Sequence, residues 1–308
     1  MLTLFITHAT CRLHEMGPGH PECPERLDAI SDQMLSSGLI SYLHEMEVDA
    51  PASDAALLRV HARDYVDRLQ RLVPRQGLAE IDADTLLNPY SLTAARLAAG
   101  AAVMGVDRIL QGQASSAFCS VRPPGHHAER AKSMGFCFFN NVAVAAAHAL
   151  EHHGLERVAI IDFDVHHGNG TEDIFAGDER VLMCSFFQHP LYPNSGTQHV
   201  ASNMVNVPVA AYSRGDVVRS LVQDKWLPRL DAFAPQLIVI SAGFDAHRED
   251  DLAQLGLVEE DYAWMTKQLM AVADKHAQGR VLSMLEGGYN LSALGRSVVA
   301  HVKALAKL

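Results

Sequence analysis

Acidic and imidazole side chains alternate with apolar ones in the segment Asp162-Phe163-Asp164-Val165-His166, at the end of an apolar run. In an extended chain this alternation places Asp162, Asp164 and His166 on one face and the two apolar side chains on the other. Carboxylates crowded at the end of a buried strand would repel each other and be poorly solvated unless a cation neutralised them. The spacing therefore predicts a divalent metal site.

A lone Asp-x-His is more often a loop-capping aspartate beside a hydrogen-bonded histidine than a metal site, so the prediction depends on a third ligand. Asp245 supplies one, because it follows an apolar run that ends at residues 241–244. One histidine and two aspartates leave an open coordination position, as a catalytic zinc ion requires. We therefore expect Asp164, His166 and Asp245 to hold zinc. The alternative is that Asp245 only caps a helix.

Two adjacent histidines, His126 and His127, follow the rigid turn Pro123-Pro124-Gly125. A histidine pair in a loop is usually surface decoration, but this pair follows a predicted strand in an apolar neighbourhood. We expect the two imidazoles to transfer protons beside the metal site. Asp162 and Asn169 are not needed as zinc ligands, so they are predicted to orient these histidines by hydrogen bonding.

Three aromatic residues also lie on loops that follow predicted strands. Tyr289 ends the bend Glu286-Gly287-Gly288-Tyr289, and its hydroxyl is a suitable donor to an oxyanion on an attacked carbonyl. Phe136 and Tyr192 are placed to flank a narrow entrance that suits an alkyl stem. The alternative for Tyr289 is a tyrosine packed at the core edge, and for the other two it is ordinary packing.

The rest of the sequence predicts the elements that must position these side chains. Apolar runs rich in Val, Ile and Phe alternate with longer segments of helical periodicity, which is typical of βαβ units around a parallel sheet. The predicted strands are 2–7, 117–121, 158–163, 181–186, 204–209, 237–242 and 281–285. The predicted helices are 24–37, 55–73, 91–110, 142–153, 215–233, 259–276 and 291–308. The fold class is therefore α/β.

Polar and glycine-rich clusters follow four of the predicted strands. They are residues 122–127, 162–170, 243–247 and 286–289. In open α/β sheets ligands bind at the carboxyl ends of the strands, so side chains far apart in sequence meet there. We expect the four clusters to form one site.

Composition limits the class of protein. The 308-residue chain fits one domain, and its net charge of -11 without clustered Lys or Arg argues against nucleic-acid binding and suits a cationic substrate better. The apolar run at residues 1–7 is too short for a membrane span or signal peptide, and it is predicted to be the first strand. Five scattered cysteines favour a reducing, cytoplasmic location.

Seven ordered motifs carry a resemblance over nearly the whole chain. They are Gly19-His20-Pro21-Glu22 with Pro24-Glu25-Arg26, residues 122–127, Gly135-Phe136-Cys137 with Asn140-Asn141, residues 162–170, Tyr192-Pro193 with Ser195-Gly196, residues 243–246, and residues 286–289. Through them the chain resembles the zinc-dependent histone deacetylase family of the arginase and deacetylase superfamily, in particular its class II-like bacterial amidohydrolases. The resemblance implies one catalytic domain over residues 1–308, with a central, mostly parallel sheet in a three-layer α/β/α sandwich.

The resemblance also assigns roles to residues. It implies one Zn²⁺ per chain on Asp164, His166 and Asp245, with His127 as the main general base and acid, His126 as an electrostatic aid and Tyr289 as the group that polarises the carbonyl. It implies an acyl-lysine tunnel lined by Phe136, Tyr192 and Leu252. It further implies a potassium ion near Asp162, Asp164, His166, Ser185 and Phe186.

The sequence departs from the family pattern at two places. Tyr192 stands where relatives usually have Phe, and Asp250-Asp251-Leu252 replaces a common Asp-Pro-Leu. The acidic gatekeeper typical of polyamine-selective relatives is not evident near Leu252, and the early loop lacks the long dimerising insertion of bacterial ones. An oligomer is still compatible with the sequence.

These features predict a zinc-dependent amidohydrolase that removes acetyl or other acyl groups from lysine-like amines. The alternative substrate class is acetylated polyamines or other small amides. Two further readings are an arginase-like enzyme with two manganese ions and a binding protein without turnover. The first lacks the additional acidic spacing around Gly243-Phe244-Asp245-Ala246, and the second has no need for His126, His127 and Tyr289.

Overall fold

The apolar runs of the sequence form one eight-stranded sheet in the computed structural model, which describes residues 2–308. The strands are β1 (Thr3–Thr7), β2 (His44–Glu47), β3 (Ala79–Glu80), β4 (Leu86–Leu87), β5 (Ser116–Ser120), β6 (Val158–Asp162), β7 (Val181–Gln188), β8 (Met204–Val209), β9 (Leu237–Ala242) and β10 (Val281–Leu285). The sheet order is β2-β1-β5-β10-β9-β6-β7-β8, and every neighbouring pair is parallel. β3 and β4 form a separate antiparallel pair.

The central strands are buried along their whole length, which explains their continuous apolar runs. β5, β6, β9 and β10 have no exposed residue, because helices cover both faces of the sheet. β2 was not predicted: its residues His44-Glu45-Met46-Glu47 are mostly exposed and carry no apolar run. It is held at the edge of the sheet by backbone pairing with β1.

The helices form two layers around the sheet. They are α1 (Glu25–Ser36), α2 (Asp54–Leu57), α3 (Arg63–Leu72), α4 (Ser91–Leu110), α5 (Asn141–Glu151), α6 (Asn169–Phe175), α7 (Gly215–Leu221), α8 (Leu227–Phe233), α9 (Glu259–His276) and α10 (Leu291–Leu305), with 3₁₀ turns at Ala9–Leu13 and Leu39–Tyr42. α1, α9 and α10 pack together, and α4 packs with α5. The predicted three-layer α/β/α arrangement is confirmed.

Two predicted helices are interrupted. The helix predicted at 55–73 is broken between α2 and α3, where His61 turns inward to bond the Glu129 carbonyl and the Asn140 N–H. The helix predicted at 215–233 contains a π-helical turn at Val222–Trp226, directly before Pro228, which has no N–H to continue an α-helical ladder. Trp226, the last residue of this turn, is fully buried in the core.

Other boundaries differ by a few residues, and one helix was missed. α6 was not predicted, because it is only seven residues long and begins at Asn169 inside a polar, glycine-rich motif. The first strand begins at Thr3, and Met1 lies outside the described residues. Among residues 2–308, none of the helices combines the length and apolar character that crossing a bilayer requires.

The sheet order brings the four polar clusters together. β5, β10, β9 and β6 are consecutive neighbours, and each carries one cluster immediately after its carboxyl end. The candidate site therefore lies at one edge of the four central strands.

Candidate active site and metal centre

Three buried side chains converge at this edge. The Nδ1 atom of His166 lies 3.0 Å from Asp164 Oδ1 and 3.2 Å from Asp245 Oδ2. β6 ends at Asp162, so the strand alternation does not extend to His166, and bends in the following chain turn Asp164 and His166 towards Asp245. The structure thus brings together the three residues predicted as zinc ligands.

Backbone donors fix the two carboxylates. Asp164 Oδ2 accepts the Gly287 N–H at 2.9 Å, and Asp245 Oδ1 accepts the Val165 N–H at 3.0 Å. Asp245 Oδ2 is buried and accepts no hydrogen bond. Asp164 Oδ1 also accepts the His166 N–H at 2.9 Å. Each carboxylate is therefore held by backbone donors with one oxygen close to the His166 ring, which is an arrangement suited to a metal ligand.

The charges of the three groups show why the site fits a cation. Burial and the neighbouring Asp164 charge raise the pKa of Asp245 to about 6. Burial disfavours a charged His166, but the hydrogen bond to Asp164 and the close Asp164 and Asp245 carboxylates raise its pKa to about 10. The two carboxylates thus require a nearby positive charge, and an Asp₂His donor set suits Zn²⁺.

The adjacent histidines have different Nδ1 partners. His126 Nδ1 lies 2.9 Å from Asp162 Oδ2, whereas His127 Nδ1 lies 2.7 Å from Asn169 Oδ1. Their ring centroids are 4.0 Å apart, so both imidazoles border the same space. Asn169 is held in this orientation because its Nδ2 donates to Glu129 Oε1 at 2.8 Å.

These partners separate the pKa values of the two rings. Burial opposes charge on His126, but the charges of Asp162 and Asp164 raise its pKa well above the usual value. Burial and the nearby positive charges of His126 and His166 lower the pKa of His127 well below it. His127 is therefore neutral, with Nδ1–H donating to Asn169 and the Nε2 lone pair free.

Tyr289 lines a cavity of about 230 Å³ whose wall also includes His127 and His166. The cavity is lined by Asp84, His127, Gly135, Phe136, His166, Leu191, Tyr192, Leu252 and Tyr289. The Tyr192 ring stands edge-on to His127, with centroids 5.2 Å apart, and the Phe136 ring stands edge-on to Tyr289 at 6.0 Å. All three residues predicted to line a tunnel are thus in one cavity.

The bend that carries Tyr289 is anchored from two sides. Asp250 Oδ2 accepts the N–H groups of Tyr289 at 2.6 Å and Asn290 at 3.0 Å. The Arg26 guanidinium lies 5.1 Å from the centre of the Tyr289 ring and donates to the Gly288 carbonyl. These contacts fix the backbone and the ring of Tyr289.

Several residues of this site were not singled out in the sequence. Glu286 accepts the N–H groups of Gly125 at 2.7 Å and His126 at 3.1 Å, and burial raises its pKa to about 7. Its position at the end of the apolar β10 run was the available signal. Glu129 carried no comparable signal, because it lies on a polar loop and acts only through a tertiary contact. Asp250 was noted only as part of the Asp250-Asp251-Leu252 departure, and its contact with the Tyr289 bend was not predicted.

A buried cluster of charged side chains, which was also not predicted, lies next to the Tyr289 bend. Glu22 is fully buried between Arg26 and Arg122, with Arg122 Nη2 at 2.7 Å and Arg26 Nη1 at 3.0 Å. Burial opposes ionisation of Glu22, but the Arg122 charge and further hydrogen bonds hold its pKa well below the usual range. The charged residues of the Gly19–Arg26 motif were visible in the sequence, but their mutual contact was not.

The residues predicted to surround potassium lie at the end of β6, in the chain that follows it, and in the neighbouring strand β7. Ser185 is paired with Asp162 in the parallel register, and Phe186 follows it in β7. Asp162 also accepts the Asp164 N–H at 3.1 Å. The five residues are near one another, and potassium itself remains a prediction.

Comparisons with known proteins agree with this architecture. A family model described as the histone deacetylase domain matches residues 20–305. A histone deacetylase-like amidohydrolase from Pseudomonas aeruginosa is 37% identical, with 94% of this chain and 82% of that protein covered. A probable deacetylase from Archaeoglobus fulgidus is 38% identical over the same shares, 94% and 82%.

A solved structure is similar throughout the fold. The crystal structure of the HDA15 HD domain superposes with a TM-score of 0.91 at 34% identity, covering 99% of this chain and 88% of that one. The match includes the sheet whose carboxyl edge carries the converging ligands. The chain therefore belongs to the histone deacetylase family, whose members are zinc-dependent hydrolases of amide bonds.

Proposed function

We propose that this protein removes acyl groups from lysine side chains, with the chain acting as one catalytic domain. The observation that carries the proposal is that three buried ligand atoms lie next to a cavity of about 230 Å³ bounded by Phe136 and Tyr192. Asp164, His166 and Asp245 would hold one Zn²⁺. When bound, the ion supplies Lewis acidity and lowers the pKa of water.

His127 transfers the protons in this proposal. Its free Nε2 lone pair removes a proton from the water that attacks the amide carbon, and the same nitrogen then protonates the departing amine. His126, kept charged by Asp162, stabilises the negative charge that develops beside it. The different Nδ1 partners thus give the two rings different tasks.

Tyr289 is the proposed donor to the carbonyl oxygen. The backbone N–H of Tyr289 donates to Asp250, so it does not compete for the hydroxyl of the same residue. The ring is restrained by Arg26 and Phe136, so the donor is positioned before the substrate arrives. Burial raises the pKa of this phenol well above its usual value, so it keeps its proton.

The cavity favours an acyl-lysine over an acetylated polyamine. Its walls are aromatic at Phe136 and Tyr192 and aliphatic at Leu191 and Leu252, which suits the four methylenes of lysine. Asp84 is the carboxylate in the lining, and a polyamine with more than one charge would call for further acidic groups. A potassium ion near Asp162 and Ser185, and a cytoplasmic location, complete the proposal.

The test is a substrate panel on zinc-loaded protein. Acetyl-lysine peptides, longer acyl-lysine peptides and acetylated polyamines are compared by kcat/KM, and the acyl-lysine peptides are expected to be the best substrates. Tyr289→Phe should lower kcat by about 100- to 1,000-fold, because it removes one oxyanion donor. Tyr212→Phe is the matched control, since Tyr212 is 80% exposed.

Two results would count against the proposal. Full activity of Tyr289→Phe would remove the oxyanion role. A higher kcat/KM for acetylated polyamines than for every acyl-lysine peptide would favour the small-amide alternative.

A further inference from the structure

A second group of metal-ligating side chains lies outside the active site. Asp107 of α4 and His148, His152 and His153 at the end of α5 each offer one ligand atom, and these four atoms lie within 4.8 Å of one another. Asp107 Oδ1 is 2.7 Å from His148 Nε2 and 2.7 Å from His153 Nε2. His148 and His152 are four residues apart, and their rings stack with centroids 4.7 Å apart.

The group lies at the opposite end of α5 from the active site. Asn140, which caps the start of α5, bonds the Ala128 carbonyl and Thr171 beside the His126-His127 loop. The helix then runs 11 residues, roughly 16 Å, before it reaches His152. The two ligand groups are therefore separate sites.

Three properties of this end of the molecule favour a cation. α4 and α5 both end here, and helix carboxyl termini carry partial negative charge. His148 is largely buried, and its Nε2 is held 2.7 Å from Asp107 Oδ1. A groove of about 530 Å³, lined by Asp107, His148 and His152 among others, gives an ion access from solvent.

We propose that Asp107, His148, His152 and His153 form a second metal site, for a divalent transition ion of the Zn²⁺ class, that fastens the end of α5 to α4. Three imidazoles and one carboxylate are the ligands that such ions prefer. Tetrahedral zinc holds its ligand atoms roughly 3.3 Å apart. The two 2.7 Å contacts therefore need to open by about 0.6 Å. Any pair near the 4.8 Å limit of the group needs to close, which rotation of the exposed His152 and partly exposed His153 side chains allows.

The competing explanation is that Asp107 simply accepts hydrogen bonds from two neutral histidines. Arg59 also bears on the choice, because its Nη1 lies 3.0 Å from His148 Nδ1 and brings a positive charge. Its Nε lies 3.5 Å from Glu151 Oε2, so the guanidinium has an acidic partner besides His148. The two explanations differ in how the protein responds to added metal.

The direct test is a Co²⁺ titration of chelator-treated protein, with bound metal counted by mass spectrometry. The wild-type chain is expected to bind two Co²⁺. The double variant His152→Ala/His153→Ala should bind one and lose the second at least about 100-fold in affinity, since even outer partners of ligands contribute 10- to 100-fold. His199→Ala is the matched control, because His199 is an exposed histidine elsewhere.

The exposed and partly exposed positions of His152 and His153 allow the variant to fold, which circular dichroism checks. An unchanged Co²⁺ stoichiometry and affinity in the double variant would refute the site, as would a wild-type chain that binds only one ion. Loss of the active-site ion alone, with the second retained, would instead bear on the proposed function.

Arg59→Gln gives a test in the opposite direction. It removes the charge beside His148 and supplies an amide oxygen for the Nδ1–H, so the second Co²⁺ should bind more tightly by about tenfold or more. Arg63→Gln removes a neighbouring exposed charge and should leave the affinity unchanged. Equal or weaker binding by Arg59→Gln would show that His148 is not a ligand.

Discussion

The two adjacent imidazoles of the active site differ because one faces a carboxylate and the other an amide. Asp162 stabilises a charged His126, whereas Asn169 accepts from His127 without adding negative charge. Glu129 keeps the amide from turning over. The presence of an amide rather than a carboxylate at position 169 thus makes His127 the ring that is available as a base.

Replacing that amide by a carboxylate should change the pH dependence of activity. Asn169→Asp places a carboxylate charge beside His127 Nδ1, so the pKa of His127 should rise towards that of His126. His127 would then be protonated at pH 7, and activity would fall there and recover as the pH is raised. The measurement is kcat/KM against pH, and an acid limb at the wild-type position would contradict this account.

Asp250 should be a positioning residue for Tyr289. One of its oxygens accepts two N–H groups of the Tyr289 bend, and the other accepts the N–H of Leu252 at 3.1 Å. An asparagine at this position must turn its NH₂ towards one of these donors. Asp250→Asn should therefore lower kcat by roughly 10- to 100-fold with a smaller change in KM.

The adjacent Asp251 provides the control, because it is exposed. Asp251→Asn should keep the wild-type kcat. Equal effects of the two variants would mean that charge near the cavity, rather than the hold on Tyr289, governs the rate.

At the scale of elements, the loops after the strands approach the catalytic groups so closely that side chains are excluded. Gly135 has φ +56° and a Cβ there would lie 2.4 Å from His127 Cδ2. This glycine serves two needs, a left-handed backbone and contact with the proton-transfer ring. The loop between β5 and α5, which contains Gly135, therefore packs against His127 and forms part of the cavity wall.

Alanine at this glycine should displace His127. Gly135→Ala is expected to lower kcat/KM by at least about 100-fold, because it moves the general base. Gly77→Ala is the matched control: Gly77 has φ +68° but nothing within 4 Å of the added Cβ. Both should lose some stability, measured by urea unfolding, but similar losses of activity would exclude the steric explanation.

These elements also show what a sequence can and cannot indicate. β6, β9 and β10 were predictable because buried parallel strands leave apolar runs, and polar clusters at their ends predicted where the ligands meet. The order of the strands in the sheet leaves no such pattern in the sequence. Neither do the roles of Glu129 and Asp250, because each acts through a partner about 40 residues away in the chain.

At the scale of the whole molecule, a buried histidine links stability to pH. His301 of α10 lies between Thr266 of α9 and Ser283 of β10, and burial lowers its pKa to about 3. In the unfolded chain the pKa is near 6.5. The unfolded state therefore binds the proton more readily, and the stability from this group is complete above pH 6.5 and declines as the pH falls towards 3.

The expected loss from His301 at pH 5 is about 2 kcal/mol of unfolding free energy. Urea unfolding at pH 7 and pH 5 measures the total change. His301→Gln should show a smaller change between the two pH values, by about this amount. An identical pH dependence in the variant would show that His301 is not the group responsible.

β10 fills the middle of the sheet, although it is the last strand in the chain. The other strands therefore form two ribbons, β2-β1-β5 and β9-β6-β7-β8, which β10 pairs into one sheet. All three proposed metal ligands belong to the second ribbon, whereas His126 and His127 belong to the first. β10 thus joins in one sheet the strand that leads to the proton-transfer pair and the strands that lead to the proposed ligands. The His126–Asp162 and His127–Asn169 hydrogen bonds join the same two halves at the loops.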